Sequence, residues 1–308
     1  MPVTPTSTIW MDGDLVEWDL ARVHVLTHAL HHGTGVFEGI RAYATPKGTA
    51  VFRLHAHLER LCNSAKVLMM PVGYDLDELA AAVFAVVRGN DGGEGLYLRP
   101  LVYRGYGALD LDATASPVCV AIAAWPWGAY LGDEALARGV TLQTSTWRRH
   151  DPNSIPTAAK ATGSYVNSGL ALLEATAAGV DEAVLLSPDG RVSEASGENV
   201  FVVTDGVVVT PPTSKAGALA GITRDSVLTL ARDLGYEVRT ATLTRTDLYL
   251  ADEMFLTGTA VEVTPVRAID GRTIGSGSRG PVTEAIQAAY FAAVHGESPR
   301  YAAWLDVV

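Results

Sequence analysis

The sequence predicts two mixed α/β domains joined by a short irregular segment. Three observations predict it. The chain has 308 residues and is 48% hydrophobic, enough for two cores of ordinary domain size. Runs rich in β-branched residues alternate along it with runs of helical spacing. One stretch, Trp125-Pro126-Trp127-Gly128-Ala129-Tyr130-Leu131-Gly132, interrupts both patterns with Pro and Gly. The expected division is an N-terminal α/β domain at 1–124, a linking loop at 125–135 and a C-terminal domain at 136–308.

In the first domain, Trp10 to Val16 and Ala50 to Leu54 read as strands bracketing Thr27 to Tyr43. Leu58, Leu61, Ala65 and Leu68 fall at helical spacing, as do Leu76, Leu79, Val83 and Phe84. Leu96 to Tyr103 and Pro117 to Ala124 are apolar, β-rich runs. The second domain opens with a strand at Val140 to Trp147. A helix follows from Tyr165, with Val166, Leu170 and Leu173 on one face and Gly179 as its stop. Ala183 to Leu186 and Val200 to Val203 alternate with the turns Pro188-Asp189-Gly190 and Asp205-Gly206. Ile222 to Leu234 is a helix closed by Gly235, and Pro281 to Val294 is the last helix.

Charge narrows the function. The net charge of −11 argues against nucleic acid or an anionic membrane as the partner. The N-terminus has no basic start and no apolar core, so no secretory signal is expected. The longest apolar run, Leu79 to Val87, is well short of the roughly 20 residues a membrane helix needs. Cys62 and Cys119 form no motif and read as free thiols. These features fit a soluble cytoplasmic protein.

Five segments carry candidate chemistry. Lys160 is one of four lysines and lies in Pro156-Thr157-Ala158-Ala159-Lys160-Ala161-Thr162-Gly163-Ser164-Tyr165. Its small apolar neighbours solvate an amine poorly and leave room for a cofactor to approach it, whereas Lys47, Lys66 and Lys215 lack that setting. Glu194, in Ser193-Glu194-Ala195-Ser196-Gly197-Glu198-Asn199, reads as a strand-end carboxylate, with Glu198 a competing candidate. Gly221-Ile222-Thr223-Arg224 opens a helix whose first N–H groups can take an anion. Tyr97 and Arg99 share one strand face by period two, and Gly258-Thr259-Ala260 is a tight small-residue stretch.

In this order and spacing the segments resemble the class IV aminotransferases, and within them the branched-chain aminotransferase group, over nearly the whole chain. The resemblance implies a fold type IV, two-domain α/β (α+β) enzyme with a barrel-like C-terminal domain and pyridoxal 5'-phosphate in the interdomain cleft. It implies transfer of the amino group between leucine, isoleucine or valine and 2-oxoglutarate, by a ping-pong mechanism in a homodimer. Its small-molecule partners are then amino acids and 2-oxo acids. Lys160 matches the lysine that binds the cofactor covalently and shuttles the proton. Glu194 matches the glutamate facing the pyridine nitrogen, and Tyr165 the tyrosine on the ring oxygen. Arg60, Ile222, Thr223 and Thr259 match phosphate-binding positions, with Gly197 and Leu219 also at cofactor positions.

For substrate, the resemblance puts Tyr97, Thr259 and Ala260 at the α-carboxylate and Arg99 at the distal carboxylate of glutamate. Phe37, Gly39, Trp127 and Tyr130 line the apolar pocket, and Leu111 reaches across the dimer interface. One departure stands in His31-His32-Gly33-Thr34-Gly35-Val36-Phe37-Glu38-Gly39. The family most often has tyrosine where His32 stands, at a position reaching the partner's pocket. A smaller ring that can carry charge alters that pocket's size or polarity.

Related activities share the fold. D-amino acid transaminases carry an arginine and a histidine where Leu109 and Leu111 stand here. (R)-Amine transaminases and aminodeoxychorismate lyases use the same lysine, the lyases for elimination. Two further patterns have simpler readings. His24, His28, His31 and His32 include helical i, i+4 pairs but lack a matching carboxylate or cysteine set for metal. Gly275 to Gly280 matches a dinucleotide fingerprint, but too little chain follows for the rest of that unit, so it reads as a loop.

Overall fold

The computed structural model describes residues 3–90, 95–128 and 133–308. They form two compact units. The first comprises residues 1–128, 159–164 and 293–308, and the second residues 129–158 and 165–292.

The first unit is built on an antiparallel sheet of eight strands among the described residues. Leu96–Arg104 is its centre, pairing with Ile40–Thr45 and Gly35–Phe37 on one side and along its whole length with Val118–Pro126 on the other. The helices Leu54–Val67 and Leu76–Gly89 bury Leu58, Leu61, Leu79 and Val83 with Leu98 and Ile122 of the sheet. Asp75 and Glu78 cap the second helix reciprocally.

Three local expectations change here. Trp10 to Val16 is a hairpin of Thr8–Met11 and Asp14–Glu17, because Asp12 and Gly13 turn the chain. The Asp12 carboxylate fixes the turn by accepting the Val120 N–H at 2.6 Å. The strand opposite Leu96–Arg104 runs on through Trp125 and Pro126, so Trp125 sits in the sheet opposite Tyr97. Beyond the last α-helix, Leu305–Val307 adds an edge strand against Gly48–Phe52.

The second unit holds a mixed nine-stranded sheet among the described residues. Val140–Arg148 runs parallel to both Glu182–Leu186 and Glu262–Ile269, and Glu253–Gly258 lies between Asn199–Thr204 and Glu262–Ile269. Its main core gathers Leu142, Val184, Val200, Leu256 and Val266. The helix Tyr165–Ala177 packs through Ala171 and Ala175 onto Ala183 and Leu185. Its other stripe, Val166, Leu170 and Leu173, is exposed. Small residues let this helix sit close to the sheet, so the bulkier stripe faces out. The last helix, Pro281–Val294, begins on a buried cap: Glu253 accepts the N–H groups of Val282 and Thr283.

Candidate active site

Within the first unit, the backbone of Lys160 is fixed from both sides. Its N–H donates to Ser64 Oγ at 3.0 Å, its carbonyl accepts the Phe37 N–H at 3.0 Å, and Ala161 bridges to Val36. Ala159 and Ala161 are buried, and Lys160 itself is half-buried. Its Nζ lies 4.9 Å from the centre of the Phe37 ring. The guanidinium of Arg99 lies 4.7 Å from the centre of that same ring. One aromatic side chain therefore touches both an amine and a permanent cation.

Tyr97 fits because residue 39 is glycine. A Cβ there would overlap the Tyr97 hydroxyl, so any larger residue displaces the phenol. The Tyr97 ring packs at a tilt against Trp125 at 5.2 Å and Trp127 at 4.8 Å. Arg99 donates to the Tyr97 hydroxyl at a long 3.4 Å.

Next to Phe37 in the chain, Glu38 anchors a charged triad. Glu38 is 0% exposed, and Arg60 grips it with Nε at 2.7 Å and Nη2 at 2.8 Å. His57 Nδ1 donates to the same carboxylate at 2.7 Å. Burial alone would raise the Glu38 carboxyl, but Arg60 and His57 hold it well below the usual carboxylate range. Burial, aided by the charges of Arg60 and Lys160, pushes the His57 imidazole down against the pull of Glu38. A neutral His57 thus donates to an ionised Glu38, and the fork of Arg60 is set in one plane.

His32 and Leu111 are placed elsewhere on this unit. His32 is exposed and stacks on His28 at 4.4 Å, and Leu111 is 90% exposed. His28 is buried, with Nδ1 at 2.7 Å from Thr34 Oγ1 and Nε2 at 2.9 Å from the Asp110 carbonyl. That pairing ties the Leu111 loop to the helix carrying His32. Tyr130 lies outside the described residues.

In the second unit the centre is Glu194, buried on the strand Val192–Ala195. Arg149 Nη2 pairs with its Oε1 at 2.8 Å, and the Leu219 N–H donates to its Oε2 at 2.8 Å. Arg149 is as buried as its partner, and no sequence pattern singles it out. Glu198 accepts the N–H of its chain neighbour Gly197 at 3.1 Å. Asn199 Nδ2 donates to the Leu219 carbonyl, so both the N–H and the C=O of Leu219 are held by side chains.

The helix Ile222–Asp233 starts at Gly221 without a side-chain cap. A Cβ at Gly221 would overlap Asn199 Oδ1, so glycine is required where the chain enters the helix. Thr223 is buried in that first turn. Tyr165 begins the helix Tyr165–Ala177, while Thr259 and Ala260 form the turn between Glu253–Gly258 and Glu262–Ile269. Two residues before Thr259, the hydroxyl of Thr257 is buried without a partner among the described residues.

These groups fit pyridoxal phosphate. In the second unit an uncapped helix start suits a dianionic phosphate and a buried ion-paired carboxylate suits a ring nitrogen; in the first unit Lys160 offers an amine. The profile of the family described as amino-transferase class IV matches residues 35–269, and the chain belongs to this family, whose members use pyridoxal phosphate. The branched-chain-amino-acid aminotransferase of Pseudomonas aeruginosa is 51% identical over 300 residues, covering 97% of each chain. The crystal structure of the Escherichia coli branched-chain amino acid aminotransferase superposes with a TM-score of 0.95 at 48% identity, covering 98% of this chain and 99% of that one. The branched-chain amino acid aminotransferase designated T.th., complexed with N-(5'-phosphopyridoxyl)-L-glutamate, gives a TM-score of 0.93 at 50% identity, covering 98% of each. The same enzyme has been determined with 4-methylvaleric acid.

Proposed function

We propose that this protein is a branched-chain-amino-acid aminotransferase that exchanges amino groups between leucine, isoleucine or valine and 2-oxoglutarate. The observation that carries this reading is the Phe37 ring shared by the Lys160 amine and the Arg99 guanidinium. It combines a nucleophile with an aromatic, apolar surround that holds one cation, which suits an apolar side chain and a carboxylate in turn. That the T.th. relative has been determined with both 4-methylvaleric acid and a glutamate adduct supports it.

When bound, pyridoxal phosphate supplies an electron sink for the bond to the substrate's α-hydrogen. This chain's residues do the rest. Lys160 Nζ takes the proton from the α-carbon and later returns it to the neighbouring reacting carbon. Glu194, oriented by Arg149 and the Leu219 N–H, holds a proton at the pyridine nitrogen. The N–H groups of Ile222 and Thr223, with Arg60 and Thr259, bind phosphate, and Tyr165 bonds the ring oxygen. Gly197 and Leu219 shape the backbone against the ring. Tyr97, Thr259 and Ala260 orient the substrate's α-carboxylate. Arg99 receives the distal carboxylate of glutamate, while Phe37, Gly39, Trp127 and Tyr130 face apolar side chains. The two half-reactions alternate on one site, giving ping-pong kinetics.

The reading also proposes a homodimer acting in the cytoplasm. Leu20, Val23, Val25, Leu30 and Leu111 are all exposed on the first unit, an apolar surface suited to a second copy. His32 and Leu111 then serve the neighbour's pocket. Among the described residues no helix is long and apolar enough to cross a membrane. Replacing Lys160 with Ala tests the assignment: multiple-turnover transamination should disappear, and appreciable turnover by the purified variant would sink it.

A further inference from the structure

Arg99 has no carboxylate within 4 Å among the described residues, and its Nε is buried without a partner. For a partly buried guanidinium with no carboxylate beside it, any other group that interacts with its charge is stabilising. Three rings surround it, with centres at 4.7 Å (Phe37), 5.4 Å (Tyr97) and 5.7 Å (Trp125). Aromatic faces attract cations, and indole does so best. The sheet register fixes the third ring. Trp125 stands opposite Tyr97, while Ala123 stands opposite Arg99 and leaves the long side chain room to lean toward the diagonal indole. The indole Nε1 is itself buried without a partner, so hydrogen bonding does not explain a tryptophan here.

We propose that Trp125 is a specificity-determining residue: its indole completes an aromatic cage with Phe37 and Tyr97 that stabilises the Arg99 charge when the bound side chain brings no carboxylate. The inference rests on the proposed function, in which Arg99 faces the substrate side chain. With an apolar substrate the cage remains the partner of the guanidinium. With glutamate the carboxylate takes over that role. The cage therefore favours apolar substrates selectively and is close to neutral for acidic ones.

The test uses the purified holoenzyme and the variants Trp125→Leu, Trp125→Phe and Arg99→Leu. Each is compared for half-reaction kcat/KM with L-leucine and L-glutamate, and for the dissociation constants of the unreactive acids 4-methylvalerate and glutarate. Trp125→Leu should weaken leucine and 4-methylvalerate about tenfold while glutamate and glutarate stay within about twofold. Trp125→Phe, which keeps a π face and most of the packing, should restore most of the difference. Equal losses for both substrate classes in Trp125→Leu, with Arg99→Leu still losing glutamate selectively, would overturn the cage and leave the reading of Arg99 standing. An Arg99→Leu enzyme that keeps wild-type glutamate kinetics would overturn that reading and the cage with it. Equal losses in Trp125→Phe would likewise assign Trp125 to packing alone.

Discussion

At the scale of single residues, the site depends on side chains that hold other side chains. Glu38 touches no predicted ligand, yet it sets the plane of Arg60 and the tautomer of His57. Its folded carboxyl lies below the ordinary value of 4.5, so its stabilising contribution is full above that pH and fades as pH falls below it. Glu38→Gln should cost about 2–4 kcal/mol at pH 7, because it leaves the partly buried Arg60 without its partner charge. The gap between wild type and variant should narrow below about pH 4.5, as thermal melts at pH 7 and pH 4 would reveal; a gap that widens in acid contradicts the assigned charge state. Residue chemistry is the most legible layer of the sequence. Lys160, Glu194 and Arg99 stand out from their neighbours. Arg149 does not, because its partner Glu194 is distant in sequence and nothing local marks a buried arginine. Trp125 is hidden for another reason: the proline and glycine after it signal a turn, whereas the strand persists through Pro126.

At the scale of elements, helix starts and strand ends place the chemistry. The turn at Gly221 is uncapped, and Asn199 occupies the space a side chain there would need. Gly221→Ala should push Asn199 away from the Leu219 carbonyl and disturb the first-turn amides. Pyridoxal phosphate affinity, measured by equilibrium dialysis of the apoprotein, should fall about tenfold, in line with the roughly 1–2 kcal/mol of a partly buried helix-terminus anion site. Unchanged affinity would remove this turn from the phosphate site. Helices and long strands follow their periodicity closely. The elements that escape it are those decided by tertiary contacts. The hairpin at Asp12-Gly13 depends on the Val120 amide, and the edge strand Leu305–Val307 exists only because Gly48–Phe52 offers a free edge. The helix Tyr165–Ala177 shows the limit of an apolar stripe as a core signal: alanines bury, and the larger residues stay out.

At the scale of the whole molecule, the account requires two copies of the chain. His32 and the Leu111 loop are joined by His28 and exposed on the first unit, and the proposed dimer has them serve the neighbouring subunit's pocket. The double variant Val25→Glu, Leu30→Glu should sediment as a monomer and lose most of its activity while keeping its circular dichroism. A dimer that survives both charges would move the interface elsewhere. Transfer of the amino group itself is tested most directly by a half-reaction. The pyridoxal form is mixed separately with L-leucine, D-alanine and an (R)-arylalkylamine, and the change in cofactor absorbance is followed in a stopped-flow instrument. The account predicts fast conversion with L-leucine and little with the other two. Comparable conversion by the D-amino acid or the amine, or none with L-leucine, would contradict it.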